Sequence, residues 1–364
     1  MLFNVREQLR RKVKLKIFIY SDLHISKTSS ILPLTFDDVH TYRQNMIIET
    51  GKFLVKQIKE LNPDIIVNLG DTFDNHTLTS YDVNTASEFF KCFEDVINIP
   101  HYVLVGNHDM LNSKYNAVDL LDNINNIQVI KEPITLYDNL AFMPYVDKVN
   151  TNNMPEGTFL FSHLDIEGST IRNNILLKEG ISTKVLKEKY KLVFNGHIHR
   201  AGILDNVVNV GSITTHSFSD ANDSVPQCYI FDTDTLDLNI IQSHCCPLFR
   251  KYNPDDMNVD VYLDELENYL SNLDLNYLYI IQCVCPYELK ESVRELLADT
   301  MNVVCSKLSI KFSNEAQKVD KNKQDIEVLS NVDIVKSFKE FIATVDLKYS
   351  ADMYLKVLDG IEVK

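Results

Sequence analysis

Short apolar runs alternate with amphipathic segments along the first part of this chain. Three runs have the length and composition of buried strands, at residues 17–20, 65–69 and 102–105. Between them, apolar residues recur at helical spacing over 47–61 and 83–97, and Asn62-Pro63 predicts the end of the first helix. This strand–helix–strand–helix–strand order predicts an α/β layer.

The pattern changes after about residue 125, where apolar runs follow one another closely. These runs predict strands at 127–130, 140–146, 158–162, 191–194, 207–210, 228–231 and 236–241. A helical pattern interrupts them at 182–190. A second sheet packed on the first is the simplest account. The predicted fold is therefore α/β, a β-sandwich of two packed mixed sheets flanked by helices.

Past Pro247 the pattern predicts a small α+β module, with a strand at 277–285, a helix at 287–299 and a strand at 303–312. Residues 314–325 are polar and are predicted to form a linker. Beyond the linker, one apolar stripe at helical spacing contains Ile334, Phe338, Phe341, Ile342 and Val345. So isolated a helix needs its own domain or a partner to bury that stripe.

Composition narrows the class of protein. The chain has 364 residues, of which 45% are apolar, and no apolar run reaches the roughly 18 residues of a membrane span. The basic N-terminus lacks the small-residue cleavage site of a signal peptide. Seven cysteines without a C-x-x-C pair favour a reducing cytoplasm over a disulfide framework. We therefore expect a cytoplasmic protein without a membrane partner, in the host cytoplasm if it is viral.

The net charge of −15 bears on nucleic-acid binding. A negative surface repels DNA, because binding to DNA depends mostly on the neutralisation of phosphates. If this protein acts on DNA, bound cations, a local basic patch or a partner must supply the attraction.

Polar side chains with metal-binding chemistry follow the predicted strands, where each strand ends. The five blocks are Asp22-Leu23-His24, Gly70-Asp71, Gly106-Asn107-His108-Asp109, Ser162-His163 and Gly196-His197-Ile198-His199. They hold five of the ten histidines, which argues against a chance arrangement. Buried strands would hold these side chains rigidly at one sheet edge, and the glycines permit tight turns.

The residue types indicate the ions. Asp, His and Asn donors suit a divalent ion such as Mn²⁺, with Mg²⁺, Fe and Zn²⁺ as alternatives, and the lack of thiolates disfavours structural zinc. The blocks offer too many such donors for one ion, and enough for two ions that share a carboxylate. Two ions so arranged can activate water and clamp a phosphate.

The last block leaves three interpretations open. If Asn195 to Arg200 continued a strand, His197 and His199 would point to the same face and could share one metal. In a loop, the two imidazoles could diverge onto different metals. They could also be ordinary polar residues at a strand end.

The blocks DLH, GDTFD, GNHD, SH and GHIH, over residues of about 15–215, resemble the calcineurin-like metallophosphoesterase superfamily. Within it, GDTFDN, VGNHD, NGHIHRAG and NVGSI are similar to the nuclease subunit of the SbcCD-type DNA repair and recombination exonucleases, including phage recombination nucleases. The resemblance implies one metal held by Asp22, His24, Asp71 and His199. It implies a second held by Asp71, Asn107, His163 and His197, with Asp71 bridging.

The resemblance also implies roles for residues that bind no metal. His108 would contact the scissile phosphate or protonate the leaving oxygen, and Asp109 would orient His108. With this ligand set the loop interpretation is favoured, so that His197 and His199 serve different metals and Ile198 faces the core. Asp74 is either a support for the site or a helix cap. Four further histidines lie near the blocks in the sequence but match none of them, and they are predicted to be structural or exposed: His76, His101, His216 and His244.

The implied activity is Mn²⁺-dependent 3′–5′ exonuclease action on double-stranded DNA and endonuclease action on single strands, in DNA repair, recombination or replication. The implied partners are DNA, an SMC-like coiled-coil ATPase and a second copy of the chain, paired through helices between residues 82 and 124. The predicted division is a nuclease domain (15–246), a capping domain (247–313), a linker (314–325) and a helical partner-binding segment (326–364). A basic extension (1–14) precedes them and departs from the family, whose members usually start almost at the first strand.

Two other function classes remain in view. One is a small-molecule phosphodiesterase or a protein phosphatase of the same superfamily. Phosphoprotein phosphatases typically carry an Arg directly after the second block and often Glu in the third, whereas this chain reads GDTFDN and GNHD. The other is a non-enzymatic scaffold, which an intact donor set disfavours.

Overall fold

The computed structural model describes residues 14–26, 39–112, 114–171, 175–215, 217–218, 225–254 and 258–311. The predicted linker, the stripe from Ile334 to Val345 and nearly all of the basic extension lie outside these residues, as does His216.

The described chain alternates strands and helices. The strands are β1 (Lys16–Tyr20), β2 (Ile65–Asn68), β3 (His101–Leu104), β4 (Ile127–Ile130), β5 (Ile134–Leu136), β6 (Leu140–Met143), β7 (Phe159–Ser162), β8 (Leu192–Asn195), β9 (Gly202–Leu204), β10 (Val207–Asn209), β11 (Gln227–Asp232), β12 (Leu238–Gln242), β13 (Leu248–Tyr252), β14 (Tyr279–Pro286) and β15 (Val303–Lys311). The α-helices are α1 (Tyr42–Leu61), α2 (Ser80–Lys91), α3 (Thr183–Lys189), α4 (Val259–Ser271) and α5 (Lys290–Asp299). Short 3-10 helices occur at Cys92–Val96, Ala117–Asn123, Thr151–Asn153 and Tyr287–Leu289.

Two six-stranded mixed sheets form the body of the protein, which confirms the predicted fold class. The first has the strand order β12-β11-β1-β2-β3-β4, and the second has the order β5-β6-β7-β8-β10-β9. In the first sheet β1 to β4 are parallel, and in the second β6, β7, β8 and β10 are parallel. Parallel strands end at the same edge, so the loops that follow them collect there.

The strand β1 shows why its sequence is an unbroken apolar run. Ile17 and Ile19 join the core between the two sheets, where they meet aromatic residues of the second sheet such as Phe161. The alternate residues Phe18 and Tyr20 face the opposite core, which α1 and α2 cover. Both faces of the strand are therefore buried, as is typical of parallel strands between layers.

The predicted helices differ from the observed ones mainly at their starts. α1 begins at Tyr42, where Thr41 and Gln44 form a capping box, and it ends at Leu61. Its C-cap Asn62 lies in the left-handed region, directly before Pro63. The predicted end of α1 is confirmed. Its predicted start is too late, because the apolar pattern begins only at 47. The second predicted helix splits into α2 and the 3-10 turn after it.

The apolar pattern missed several short elements. β5 and β9 are antiparallel edge strands, and their apolar side chains are partly in solvent, with Ile203 74% exposed. Such strands have no apolar run to detect. The pattern also missed β13 and α4, although α4 buries Tyr262, Leu266 and Leu270 at helical spacing.

The third sheet has the order β13-β14-β15 with all strands parallel, and α4 and α5 pack with it. Its residues Phe249 and Ile280 share a small core with Met46 of α1. None of the helices in the described part of the chain has the length and apolarity needed to cross a membrane.

One buried histidine gives this fold a dependence on pH. The ring of His101 lies 5.1 Å from that of Phe93, between centroids, and its Nε2 lies 3.0 Å from the Tyr20 hydroxyl. Burial lowers the pKa of His101 to about 3. In the unfolded chain a histidine titrates near 6.5, so between these values the unfolded state binds more protons and stability falls as pH falls.

We predict that His101→Gln loses less unfolding free energy than the wild type between pH 7.5 and pH 5, by about 2 kcal/mol. Denaturant unfolding at the two pH values measures the difference. The matched control is His76→Gln, since His76 is exposed and should leave the pH dependence unchanged. Equal pH dependence in the wild type and His101→Gln would contradict the prediction.

Candidate metal centre

The five predicted blocks follow five strand ends. Asp22 and His24 follow β1, Asp71 follows β2, and Asn107 to Asp109 follow β3. The second sheet contributes the loops after β7 and β8. The structure brings these loops of both sheets into contact at one edge of the sandwich.

The backbone at this edge lies in a sparsely populated conformation. Asp22, His24, Asp71 and His197 have φ angles of 54°, 49°, 49° and 68°. Residues other than glycine rarely adopt this left-handed region, and such residues cluster at functional sites. Hydrogen bonds between loops offset the strain: Asp22 N–H donates to Gly70 O at 3.1 Å and His24 N–H to Asp71 O at 3.0 Å.

Two glycines permit the close approach of the loops. Gly70 has φ +112°, and a Cβ there would lie 2.7 Å from His163 Nδ1. A Cβ at Gly106 would overlap both the backbone and the carboxylate of Asp71. Any side chain at these positions would push the second and third blocks away from the site.

We define the first cluster as Asp22, His24 and His199. Their donor atoms lie within 4.8 Å of one another. The Nε2 atoms of His24 and His199 are 3.0 Å apart, and Asp22 Oδ1 lies 4.0 Å from His24 Nε2 and 3.9 Å from His199 Nε2. Asp22 and His24 are buried, and His199 is partly exposed.

We define the second cluster as Asp71, Asn107, His163 and His197. Asn107 Oδ1 lies 3.0 Å from His163 Nε2 and 2.9 Å from His197 Nδ1. Asp71 Oδ2 lies 3.3 Å from His163 Nε2 and 3.7 Å from His24 Nε2 of the first cluster. Asp71 thus stands between the two clusters, where the predicted ligand sets need a bridging carboxylate.

The donors fit divalent ions in spacing and chemistry. An octahedral ion with ligands at ~2.1 Å holds neighbouring donor atoms about 3 Å apart. The closest donor pairs of the two clusters lie 2.9 to 3.3 Å apart. Asp22 Oδ2 is buried without a hydrogen-bond partner among the described residues, and a cation would satisfy it.

The electrostatics keep the central carboxylate ionised. Burial opposes the charge of Asp71, but attraction and a hydrogen bond from His163, helped by His24 and His108, hold the pKa of Asp71 below its usual value. The charge of Asp71 and its hydrogen bond in turn raise the pKa of His163 to about 9, although burial alone would lower it. Burial lowers the pKa of His24. An anionic Asp71 is the form that a cation binds.

The second nitrogen of two imidazoles has a hydrogen-bond partner of its own, since His163 Nδ1 lies 2.9 Å from Leu69 O and His197 Nε2 lies 2.9 Å from Asp165 Oδ1. His24 Nδ1 lies 3.3 Å from Asp74 Oδ1, which is an ion-pair distance. Such contacts hold the ring and leave the first nitrogen free for a metal. The acceptor of the His197 contact was missed by sequence reasoning, although it lies only two residues after His163.

The prediction that Asp74 caps a helix is wrong, because the helix that follows it, α2, is capped by Thr79. The Asp74 side chain instead contacts His24. Its carbonyl oxygen lies 2.8 Å from His108 Nδ1, so Asp74 holds both imidazoles.

The expectation that Asp109 orients His108 is wrong. Asp109 is fully buried, and its two oxygens accept backbone N–H groups from Phe73 at 2.8 Å and Gly106 at 2.9 Å. Burial raises the pKa of Asp109 to about 7, and the nearby Asp71 adds to the rise. Asp109 therefore joins the second and third blocks, while the exposed His108 ring stands edge-on to His24 with centroids 4.8 Å apart.

The last block resolves as a loop. β8 ends at Asn195, His197 turns into the left-handed region, and Ile198 is 2% exposed. The two imidazoles consequently part, His197 to the second cluster and His199 to the first. Among the unmatched histidines, His76 is exposed, His101 is buried, and His244 stacks on Tyr277 with centroids 4.4 Å apart.

We predict that His199→Ala and His197→Ala each lower bound Mn²⁺ from about two ions per chain to about one, because each removes a donor from one cluster. Asp71→Asn should weaken both ions. Metal analysis by inductively coupled plasma mass spectrometry after desalting measures the content. His76→Ala serves as the control for loss of an exposed histidine. If both single variants kept two ions, the assignment of the clusters would be wrong.

This chain is similar to known proteins over the region that contains these blocks. The model of the calcineurin-like phosphoesterase family matches residues 15–202, more than half of the chain. The DNA double-strand break repair protein Mre11 of Methanococcus maripaludis is 21% identical over 352 residues, which cover 88% of this chain and 91% of that protein. Exonuclease subunit 1 of Enterobacteria phage T4 is 27% identical over 184 residues, which cover 46% of this chain and 53% of the phage protein.

Among solved structures, Yfce, a phosphoesterase from E. coli, is 12% identical with a TM-score of 0.31, over 62% of this chain and 98% of that one. The family match contains all five blocks, from Asp22 to His199. This chain therefore belongs to the calcineurin-like phosphoesterase family and is a metallophosphoesterase, a hydrolase.

Proposed function

We propose that this protein is the nuclease subunit of a DNA repair and recombination complex. In this proposal it hydrolyses DNA phosphodiester bonds with two divalent ions, Mn²⁺ first among them. The observation that carries the proposal is the pair of adjoining donor clusters around Asp71, with His108 exposed beside them. The relatives named for DNA break repair and for exonuclease activity support the choice of substrate.

The ligands in this proposal are Asp22, His24, Asp71 and His199 for one ion and Asp71, Asn107, His163 and His197 for the other. Bound there, the ions would supply Lewis-acid activation of water and neutralise charge on the phosphate. The protein residues would hold the donors in place and keep water-accessible space on the side of His108.

His108 would contact the phosphate or protonate the leaving oxygen. The carbonyl of Asp74 holds its Nδ1 at 2.8 Å, which leaves Nε2 to face a substrate. The His108 backbone N–H donates to Asp71 Oδ1 at 2.9 Å, so the loop is tied to the proposed bridging carboxylate. A positioned imidazole of this kind typically contributes a factor of about 10²–10⁴ to the rate.

The acidity of the chain suggests how DNA would be held. A net charge of −15 gives little attraction for phosphates, so the ions and a partner would supply most of it. We propose an SMC-like coiled-coil ATPase as this partner, bound by residues 326–364, together with a homodimer and a cytoplasmic location. The division at residues 14, 246, 313 and 325 is part of the same proposal; β13 begins just after residue 246.

We predict that His108→Ala lowers the rate of degradation of end-labelled double-stranded DNA in Mn²⁺ by about 10²–10⁴, since a group that acts on the phosphate is lost. Metal content should stay near two ions per chain, because His108 is not among the proposed ligands. A gel assay of end-labelled DNA measures the rate, and metal analysis of the same sample measures the content.

The matched control is His76→Ala, which should degrade DNA like the wild type. The proposal also excludes an outcome for the wild type itself. If the protein hydrolysed cyclic nucleotides quickly but left DNA intact with an ATPase partner present, it would be a small-molecule phosphodiesterase.

We predict that deletion of residues 326–364 abolishes co-purification with the ATPase, because the apolar stripe from Ile334 to Val345 would be lost. Weak Mn²⁺-dependent nuclease activity should remain. Co-expression with an affinity-tagged ATPase measures binding. Unchanged co-purification would remove this segment as the partner site.

A further inference from the structure

Arg43 lies in an unusual place for a cation. It is the second residue of α1, after the N-cap Thr41, and is 1% exposed. The N-terminus of a helix carries partial positive charge, which disfavours a cation there. Burial of a charge adds a large desolvation cost unless the group is fully hydrogen-bonded. The local environment must therefore offer strong acceptors.

Those acceptors belong to the loops around the first cluster. The guanidinium donates to the carbonyl oxygens of His24 at 2.8 Å, Leu23 at 3.0 Å and Thr215 at 2.8 Å. It also donates to Thr214 Oγ1 at 3.0 Å. One side chain of α1 thus joins the loop that carries Asp22 and His24 to the loop that follows β10.

The loop after β10, residues 212–215, completes these contacts. Ser212 N–H donates to His199 O at 3.1 Å, and Ser212 Oγ–H donates to Asp22 O at 2.7 Å. Thr214 Oγ1–H donates to Leu23 O at 2.8 Å. Arg43 and this loop together therefore hold the backbone of every residue of the first cluster.

The second cluster touches the Asp22–His24 loop through one bond, from His24 N–H to Asp71 O at 3.0 Å, but has further supports of its own. His163 is held by Leu69 O, His197 by Asp165, and Asp71 by the His108 backbone N–H. A substitution of Arg43 should therefore weaken metal binding at the first cluster more than at the second. A general loss of stability would weaken both alike.

We propose that Arg43 is a positioning residue for the first metal, because it holds the backbone of the Asp22–His24 loop against residues 212–215. The inference rests on the proposed two-metal site. Lysine would keep the charge but not the planar fork that reaches several oxygens at once, so Arg43→Lys separates geometry from charge.

The test is a titration of the full chain with Mn²⁺, in which calorimetry measures the affinities and electron paramagnetic resonance detects the bound ions. The wild type should bind two ions and give the signal of a coupled pair. In Arg43→Lys one ion should bind with unchanged affinity and the other about 10- to 100-fold more weakly, as is typical for loss of a group that orients metal ligands. At limiting Mn²⁺ the coupled signal should give way to that of a single ion.

A second variant, Thr214→Val, tests the same role if Arg43→Lys does not fold. Thr214→Val keeps Arg43 but removes the hydroxyl between Arg43 and Leu23 O, and it should weaken the same ion. Arg294→Lys is the control, because Arg294 is exposed on α5 and pairs with Glu291. Its titration should match the wild type.

Three results distinguish a failure of the inference about Arg43 from a failure of the two-metal site and from a failure of the proposed function. Unchanged affinity for both ions in the folded Arg43→Lys and Thr214→Val variants, or an equal loss at both sites, would overturn the role of Arg43. A wild type that binds fewer than two ions would overturn the two-metal site and this inference with it. A wild type that binds two ions but leaves DNA intact would overturn the proposed function alone.

Discussion

The edge of the sandwich depends on one buried carboxylate. Asp71 Oδ2 lies between His24 Nε2 of the first sheet and His163 Nε2 of the second. A carboxylate in such surroundings is strongly destabilised unless charged or hydrogen-bonding groups face it. The two imidazoles satisfy this requirement, and the cations that we propose for this site would add to it. The loops of both sheets must therefore meet at Asp71.

This meeting requires backbone conformations that the chain would not adopt locally. Four site residues lie in the left-handed region, at a cost on the order of 1 kcal/mol or more each. Hydrogen bonds between neighbouring loops, and those from Arg43 to the Leu23 and His24 carbonyls, offset this cost. The strain is thus concentrated where the donor atoms converge, as is common at functional sites.

Three aspartates around the predicted ligands show how position changes the role of one residue type. Asp74 and Asp165 contact imidazoles, whereas Asp109 accepts backbone N–H groups from neighbouring loops. Asp109 is adjacent to His108 in the sequence, yet its side chain points away from that ring. Nothing in the local sequence distinguishes these roles, because each depends on which loop of the other blocks lies opposite.

The sequence alone determined the fold class, the end of α1 and the five polar blocks, because buried strands have apolar runs and their ends carry chemically distinctive side chains. It could not locate the edge strands β5 and β9, whose side chains are partly exposed and form no run. The resemblance already favoured a loop in which His197 and His199 part, but tertiary structure alone decided that Asp74 and not Asp109 holds His108, and that Arg43 reaches the first cluster. These contacts join residues 19 to 175 positions apart, and only the packing of both sheets brings such residues together.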